Sequence, residues 1–396
     1  MNRRYFLKSS AVAMFGTGIA PLWLSRAAAA ATKGERKKVL IAIFQRGAVD
    51  GLNMVVPHGE SRYYELRPTI GIKNPLDLDG MFGFHPSLEP LMTAWKDGKL
   101  AVVNASGSPD PTRSHFDAQD YMESGTPGVK STSDGWLNRA LPAVAGKAAS
   151  PIRAVSLGPA LPRMMRGARE AVAISNLKDF RIPNARDAES FESMYASTMD
   201  KMLAGTGKDT FHAVRTVQSV EQSAYTPANN ARYPETRFGN SMKQIARLIK
   251  ADAGLEVAFA DMGGWDTHVN EVPQLANLLR DFGGTIGAFY ADMGDRMTDV
   301  TIVTMSEFGR TARENGTRGT DHGHANAMLV LGGDVKGGKV YGDWPGLAPE
   351  QLYERRDLAV TTDFRDVLSE VVEKQLGGAK GTVFPGYREP KYRALF

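Results

Sequence analysis

Six short apolar runs constrain this chain most: Lys38 to Phe44, Leu100 to Asn104, Ile152 to Leu157, Leu255 to Ala260, Asp299 to Met305 and Asn326 to Leu331. Each is too short for a buried helix and reads as a buried strand. Helical signals lie between and after them, from Ser87 through Trp95, from Ser114 to Glu123, over about 272–292, and from Asp363 to Gln375 with Thr361 or Thr362 as the cap. Strands that alternate with helices predict an α/β fold with a mostly parallel sheet covered on both faces. Over 183–250 the pattern lapses into amphipathic helical sequence. The stretch of about 160–250 is therefore expected to be a mainly helical insertion near the site, inside one domain running from about residue 36 to 396.

The first 31 residues read as a twin-arginine export signal: Asn2-Arg3-Arg4-Tyr5-Phe6-Leu7-Lys8, an apolar segment from Ala11 to Leu24, and an alanine run from Ala27 to Ala31. The apolar segment is short for a bilayer crossing. The expectation is a protein exported folded by the twin-arginine machinery to the periplasm or beyond, with no stable membrane span after cleavage. Without residues 1–31, Lys+Arg falls from 48 to 44 against 44 Asp+Glu. A neutral chain offers no global electrostatic argument for nucleic acid as a partner.

There are no cysteines. That excludes disulfides, thiolate ligands and iron–sulfur clusters, and leaves His, Asp and Glu as strong metal donors. Of only seven histidines, two fall in Asp321-His322-Gly323-His324, just before a strand run, and His268 lies in Gly264-Trp265-Asp266-Thr267-His268, after another. In an open α/β sheet, ligands bind beyond the carboxyl ends of the strands. Further loops at strand ends carry Arg46 and Asp50, then Arg113-Ser114-His115 at a helix start, then Asp261, and Glu307 after Met305. A hydroxyl at a helix start sits where backbone N–H groups favour an oxygen anion. Ser114 is equally suited to be an N-cap.

These motifs, Arg46-Gly47 to Asn53, Ser108-Pro109-Asp110-Pro111-Thr112-Arg113-Ser114-His115-Phe116-Asp117, Gly264 to His268, Ser306-Glu307-Phe308-Gly309-Arg310-Thr311 and Asp321 to Ala325, resemble the DUF1501 family of twin-arginine-exported proteins. The resemblance runs from about Lys38 to the C-terminus. It implies membership of the alkaline phosphatase and sulfatase superfamily, with a three-layer α/β/α fold, one or two metals and a Ser or Thr nucleophile. By that resemblance Asp50, Asp261 or Asp266 with His268, Glu307, and His322 or His324 are the metal candidates, and Asp321 joins them as an acid beside His322. Ser114, with Thr112 as competitor, is the nucleophile, and Arg113, His115 and Arg46 complete the catalytic set. Phe308 stands where the superfamily often has a histidine.

The implied activity is hydrolysis of phosphate or sulfate esters by a serine or water that a divalent metal activates, acting on a small anionic ester substrate. Zinc or manganese suits these donors, with magnesium or calcium as alternatives. The alternative function is a non-catalytic exported binding or assembly protein that retains the fold.

Overall fold

Alternation along Val39–Gln45 (β1) explains the architecture. Val39, Ile41 and Ile43 enter one apolar cluster, while Leu40, Ala42 and Phe44 enter another on the opposite face. Successive side chains of a strand point to opposite sides, so a fully apolar strand needs cover on both. The computed structural model describes residues 36–142, 150, 152–180, 201–378 and 382–396. The twin-arginine segment lies outside them. Among the described residues no helix is long and apolar enough to cross a membrane.

The remaining strands of this sheet are Leu100–Gly107 (β2), Ala154–Ser156 (β3), Val172–Ala173 (β4), Val257–Met262 (β5), Val300–Met305 (β6), Asn326–Gly332 (β7), Lys339–Tyr341 (β8) and Thr362–Asp363 (β9). Their order is β8-β2-β7-β6-β1-β5-β3-β4, with β9 also on β2. β1 runs parallel to β5 and β6, as do β3 to β4 and β5, and β2 to β8 and β9. β7 alone in this sheet is antiparallel to its neighbours, β2 and β6.

The longer helices are His115–Ser124 (α1), Lys201–Gln222 (α2), Arg237–Lys250 (α3), Glu271–Met293 (α4) and Phe364–Leu376 (α5). Phe238, Met242 and Ile245 of α3, with Leu279, Phe282 and Ile286 of α4, cover the Ile41 face. Phe364, Val367 and Val371 of α5, with Trp136, cover the Phe44 face. The result is a three-layer α/β/α fold with a mostly parallel sheet.

Two local expectations need correction, and one gains detail. Asp363, not Thr361 or Thr362, caps α5, accepting from the Arg365 N–H at 2.9 Å. The Ser87 region opens as a 3-10 turn, Pro86–Leu91, whose first free N–H, that of Ser87, donates to Nδ1 of His85. The 160–250 stretch is woven into the layers: β4 extends the sheet and α3 packs into the same apolar cluster as α4. Part of that stretch, 181–200, lies outside the described residues.

The antiparallel β7 follows from its connection. Between Met305 and Asn326 there is no helix, only a long loop. A parallel return needs a crossover, usually a helix, whereas a loop that stays at one end of the sheet brings the chain back antiparallel. The start of β7 therefore lies at the end of the sheet where β1, β5 and β6 finish. His322, which precedes a strand, thus meets residues that follow strands.

Candidate metal centre

Three imidazoles and one carboxylate converge at this end of the sheet. Nε2 of His322 lies 3.0 Å from Nε2 of His115 and 3.0 Å from Nε2 of His268. Oδ1 of Asp266 lies 3.2 Å from Nε2 of His322, 3.1 Å from that of His268 and 3.5 Å from that of His115. Donors held at about 2.0–2.1 Å in a tetrahedron around one ion stand about 3.4 Å apart, close to the separations among His115, Asp266 and His322, while His268 meets only His322 and Asp266 at such distances. The donor atoms of His115, Asp266 and His322 all lie within 4.8 Å of one another.

The other ring nitrogens decide the chemistry. Nδ1 of His115 contacts Oε1 of Glu307 at 2.8 Å, Nδ1 of His322 contacts the Arg113 carbonyl at 2.9 Å, and Nδ1 of His268 contacts Oδ1 of Asp321 at 3.3 Å. Carboxylates and carbonyls only accept, so each Nδ1 carries a hydrogen, and a ring with no second proton turns its Nε2 lone pair inward. Lone pairs crowded at 3.0 Å repel unless a proton or a cation lies among them. Histidine ligands are commonly oriented by this kind of Nδ1–H bond to an oxygen.

Local sequence brings the loops close enough. Gly47, at φ 115°, lets the turn after β1 approach the loop after β5 so tightly that a Cβ there would come within 2.8 Å of the Asp266 nitrogen. A Cβ at Gly319 would meet the His268 carbonyl at 2.2 Å. Arg310, fully buried, braces the assembly. It donates to the carbonyls of Gly47, Ala48, Trp265 and Thr320 and, from Nη2, to Oδ1 of Asp266 at 2.6 Å. Burial would raise the Asp266 carboxyl, but Arg310 overrides it and holds the group down at about 2. The hydrogen bond to Glu307 raises His115 against the opposing effect of burial, whereas burial and the neighbouring His115 lower His322. The ring of Phe308, where a histidine was expected, instead packs 4.9 Å from His115 and 5.0 Å from His322.

Several sequence candidates fall outside this shell. Asp50 is fully buried in an ion pair with Arg67, whose Nη2 reaches Oδ1 at 3.0 Å. Asp261 pairs with Arg46 at 2.9 Å and Arg237 at 3.1 Å. Glu307 and Asp321 stand one bond further out, behind His115 and His268. Oε1 of Glu307 is already shared by His115, the Gly47 N–H and Gln119. His324 points away, its Nε2 on the Ser108 carbonyl and its ring against Tyr353. Of the alternatives His322 and His324, the geometry selects His322.

The candidates around Ser114 also separate. His115, expected among catalytic groups, belongs to the converging donors. Ser114 holds the N-cap position of α1 by its backbone, but its exposed hydroxyl makes no capping bond. Each guanidinium nitrogen of Arg46 has a partner, Asp261, Gln119 or Glu123, so two acids already balance its charge. Arg113 is tied to Asp357 and Glu354 through Nε and Nη2. Sequence reasoning missed Arg310, Gln119 and Asp357. Arg310 stood in a quoted motif, but nothing local marks the other two.

A family model described as a protein of unknown function, DUF1501, matches residues 73–381. This chain belongs to the DUF1501 family. The match includes all four converging residues but not Arg46 to Asn53, so it is narrower than the resemblance read from the motifs. No curated protein matches this DUF1501 chain. Among solved structures it is similar to alkaline phosphatase from the Antarctic bacterium TAB5, at 13% identity and TM-score 0.34, over 75% of this chain and 92% of that one. It is also similar to the C-terminal periplasmic domain of EptC from Escherichia coli in complex with zinc, at 11% identity and TM-score 0.34, over 76% and 75%. A third, the phosphonate monoester hydrolase from Silicibacter pomeroyi, stands at 12% identity and TM-score 0.32, over 87% and 74%. Likenesses this low carry no argument about the chemistry of the DUF1501 chain.

Proposed function

We propose that this protein is an exported, metal-dependent hydrolase of phosphate or sulfate esters whose cation is held by His115, Asp266, His268 and His322. One observation carries the reading: three imidazoles, each with Nδ1 committed to an oxygen, direct Nε2 at one another and at Oδ1 of Asp266. A donor set of imidazole nitrogens and one carboxylate oxygen suits zinc above manganese, and both above magnesium or calcium, which prefer oxygen donors. A bound divalent cation would supply Lewis acidity for an oxygen nucleophile and for charge building on the ester.

The chain's own groups have distinct tasks. Glu307, Asp321 and the Arg113 carbonyl fix the imidazole orientations. Arg310 keeps Asp266 ionised and aimed. Ser114, next to His115, offers an exposed hydroxyl without a bond in the described structure and is the preferred nucleophile, whereas Oγ1 of Thr112 accepts from the Ser114 N–H. Arg113 retains Nη1 for a non-bridging ester oxygen.

The test is metal analysis of the purified protein joined to a panel of phosphate and sulfate esters. Bound zinc or manganese near one equivalent, with turnover of at least one ester that chelation abolishes, supports the reading. Absence of any metal in protein prepared with zinc and manganese present would overturn it. The second reading, a non-catalytic binding or assembly protein, is favoured by the pairing of Arg46 with Asp261 and Glu123. It predicts bound metal with no turnover.

A further inference from the structure

A cavity of about 570 Å³ lies where the chain leaves β3, lined by Leu157, Gly158 and Pro159 and by the first turns of α3. The size suits a small organic ligand and is far more than one oxyanion fills. Its lining is rich in donors. Lys178 and Lys243 reach it with ammonium groups that make no hydrogen bond or ion pair among the described residues. Ser241, 6% exposed overall, also lines the cavity, and its hydroxyl makes no hydrogen bond among the described residues. Arg237 spends one nitrogen on Asp261, at 3.1 Å. The single carboxylate in the lining, Glu221, is neutralised by Arg247.

We propose that this cavity binds a phosphorylated or sulfated saccharide. Unpaired ammonium groups call for an acceptor-rich anion, and the volume calls for a sugar-sized body carrying it. The one aromatic ring in the lining already has cations against it, which disfavours a stacked nucleobase. Tyr225 has Arg247 and Lys250 over its ring, at 5.9 and 5.8 Å, and its hydroxyl is bonded to Asp292. A second cavity of about 220 Å³ shares Leu157, Gly158, Pro159 and Arg237 with the first and extends to Arg46. Arg46 is joined through Gln119 to Glu307, behind the imidazole cluster. The site thus lies on the metal-facing end of the sheet but shares none of the four converging residues, and it does not depend on hydrolysis occurring.

Calorimetric titration with sulfated maltotetraose, unsulfated maltotetraose and sodium sulfate tests it on the full chain. Saturable binding of the sulfated sugar is expected, with much weaker binding of the other two. Lys178→Ala combined with Lys243→Ala, both at exposed positions, should weaken it about tenfold, the sum of two modest charge contacts. His322→Ala should leave it unchanged, whatever becomes of metal or turnover. The proposal is overturned if wild type fails to bind the sulfated sugar, if the double variant binds it equally well, if the unsulfated sugar or sulfate alone binds as tightly, or if His322→Ala abolishes binding.

Discussion

Nδ1 of His115 stands 2.8 Å from Oε1 of Glu307, across 192 positions of sequence. That contact turns an acidic residue at a strand end from a candidate ligand into the group that aims one. The same arrangement recurs with Asp321 behind His268. Outer groups of this kind typically change metal affinity by about 10- to 100-fold when removed. Glu307→Gln should therefore lower zinc affinity by about that factor while Glu307 itself never touches the ion. Competition titration with a chelating dye reads the change, and unaltered affinity would remove Glu307 from the orienting role.

His322→Ala and His324→Ala should behave differently despite being two residues apart. The first removes the atom common to both 3.0 Å contacts and should reduce bound metal to a small fraction. The second leaves the cluster intact and should keep near-normal metal content. Elemental analysis of the two variants side by side decides it, and equal loss in both would count against the selection of His322.

Ser114→Ala should abolish ester turnover without altering metal content. Loss of a working cap costs about 1 kcal/mol, but the Ser114 side chain makes no capping bond, so thermal stability should hardly move. Full activity in this variant would transfer the nucleophile to water or Thr112.

Acidity should act in opposite directions on metal-free and loaded protein. The pKa of His115 is raised in the fold by Glu307. In metal-free protein its contribution to stability is therefore complete below the unfolded histidine range, near about 6.5, and is lost as pH rises through the higher folded value. Metal binding needs His115 neutral at Nε2, so zinc affinity should fall as pH drops through that raised value. Glu307→Gln should move this fall to lower pH. Asp266, held at about 2 from an ordinary 3.8, contributes stability above the ordinary value that is lost only as pH falls toward 2. Zinc titrations and melting curves between about pH 5 and 8 would expose a wrong sign directly.

The Asp50 and Arg67 pair should prove structural. Both side chains are fully buried, and removing one member of a buried pair costs about 3–5 kcal/mol. Arg67→Ala should lose stability on that scale in urea denaturation. If the variant stays folded, its zinc affinity should fall little. Loss of zinc without loss of stability would return Asp50 to the metal candidates.

The sequence by itself determined the layered α/β body, because the burial of Val39 to Gln45 on both faces is written in a local pattern of apolar residues. It also determined which loops could carry donors, since strand ends follow from strand positions. Only the tertiary structure decided which donors converge. Asp50, Asp261, Asp266 and Glu307 look alike as acids near strand ends, yet Arg67 claims the first, Arg46 and Arg237 the second, and Gly47, Gln119 and His115 the fourth. Pairing depends on side chains brought together from distant segments: Asp266 is itself paired with Arg310, but its Oδ1 alone among these acids also faces the Nε2 atoms of His115, His268 and His322. The same reason separates His322 from His324. The loop that returns as the antiparallel β7 directs one imidazole into the cluster and buries the other against Tyr353.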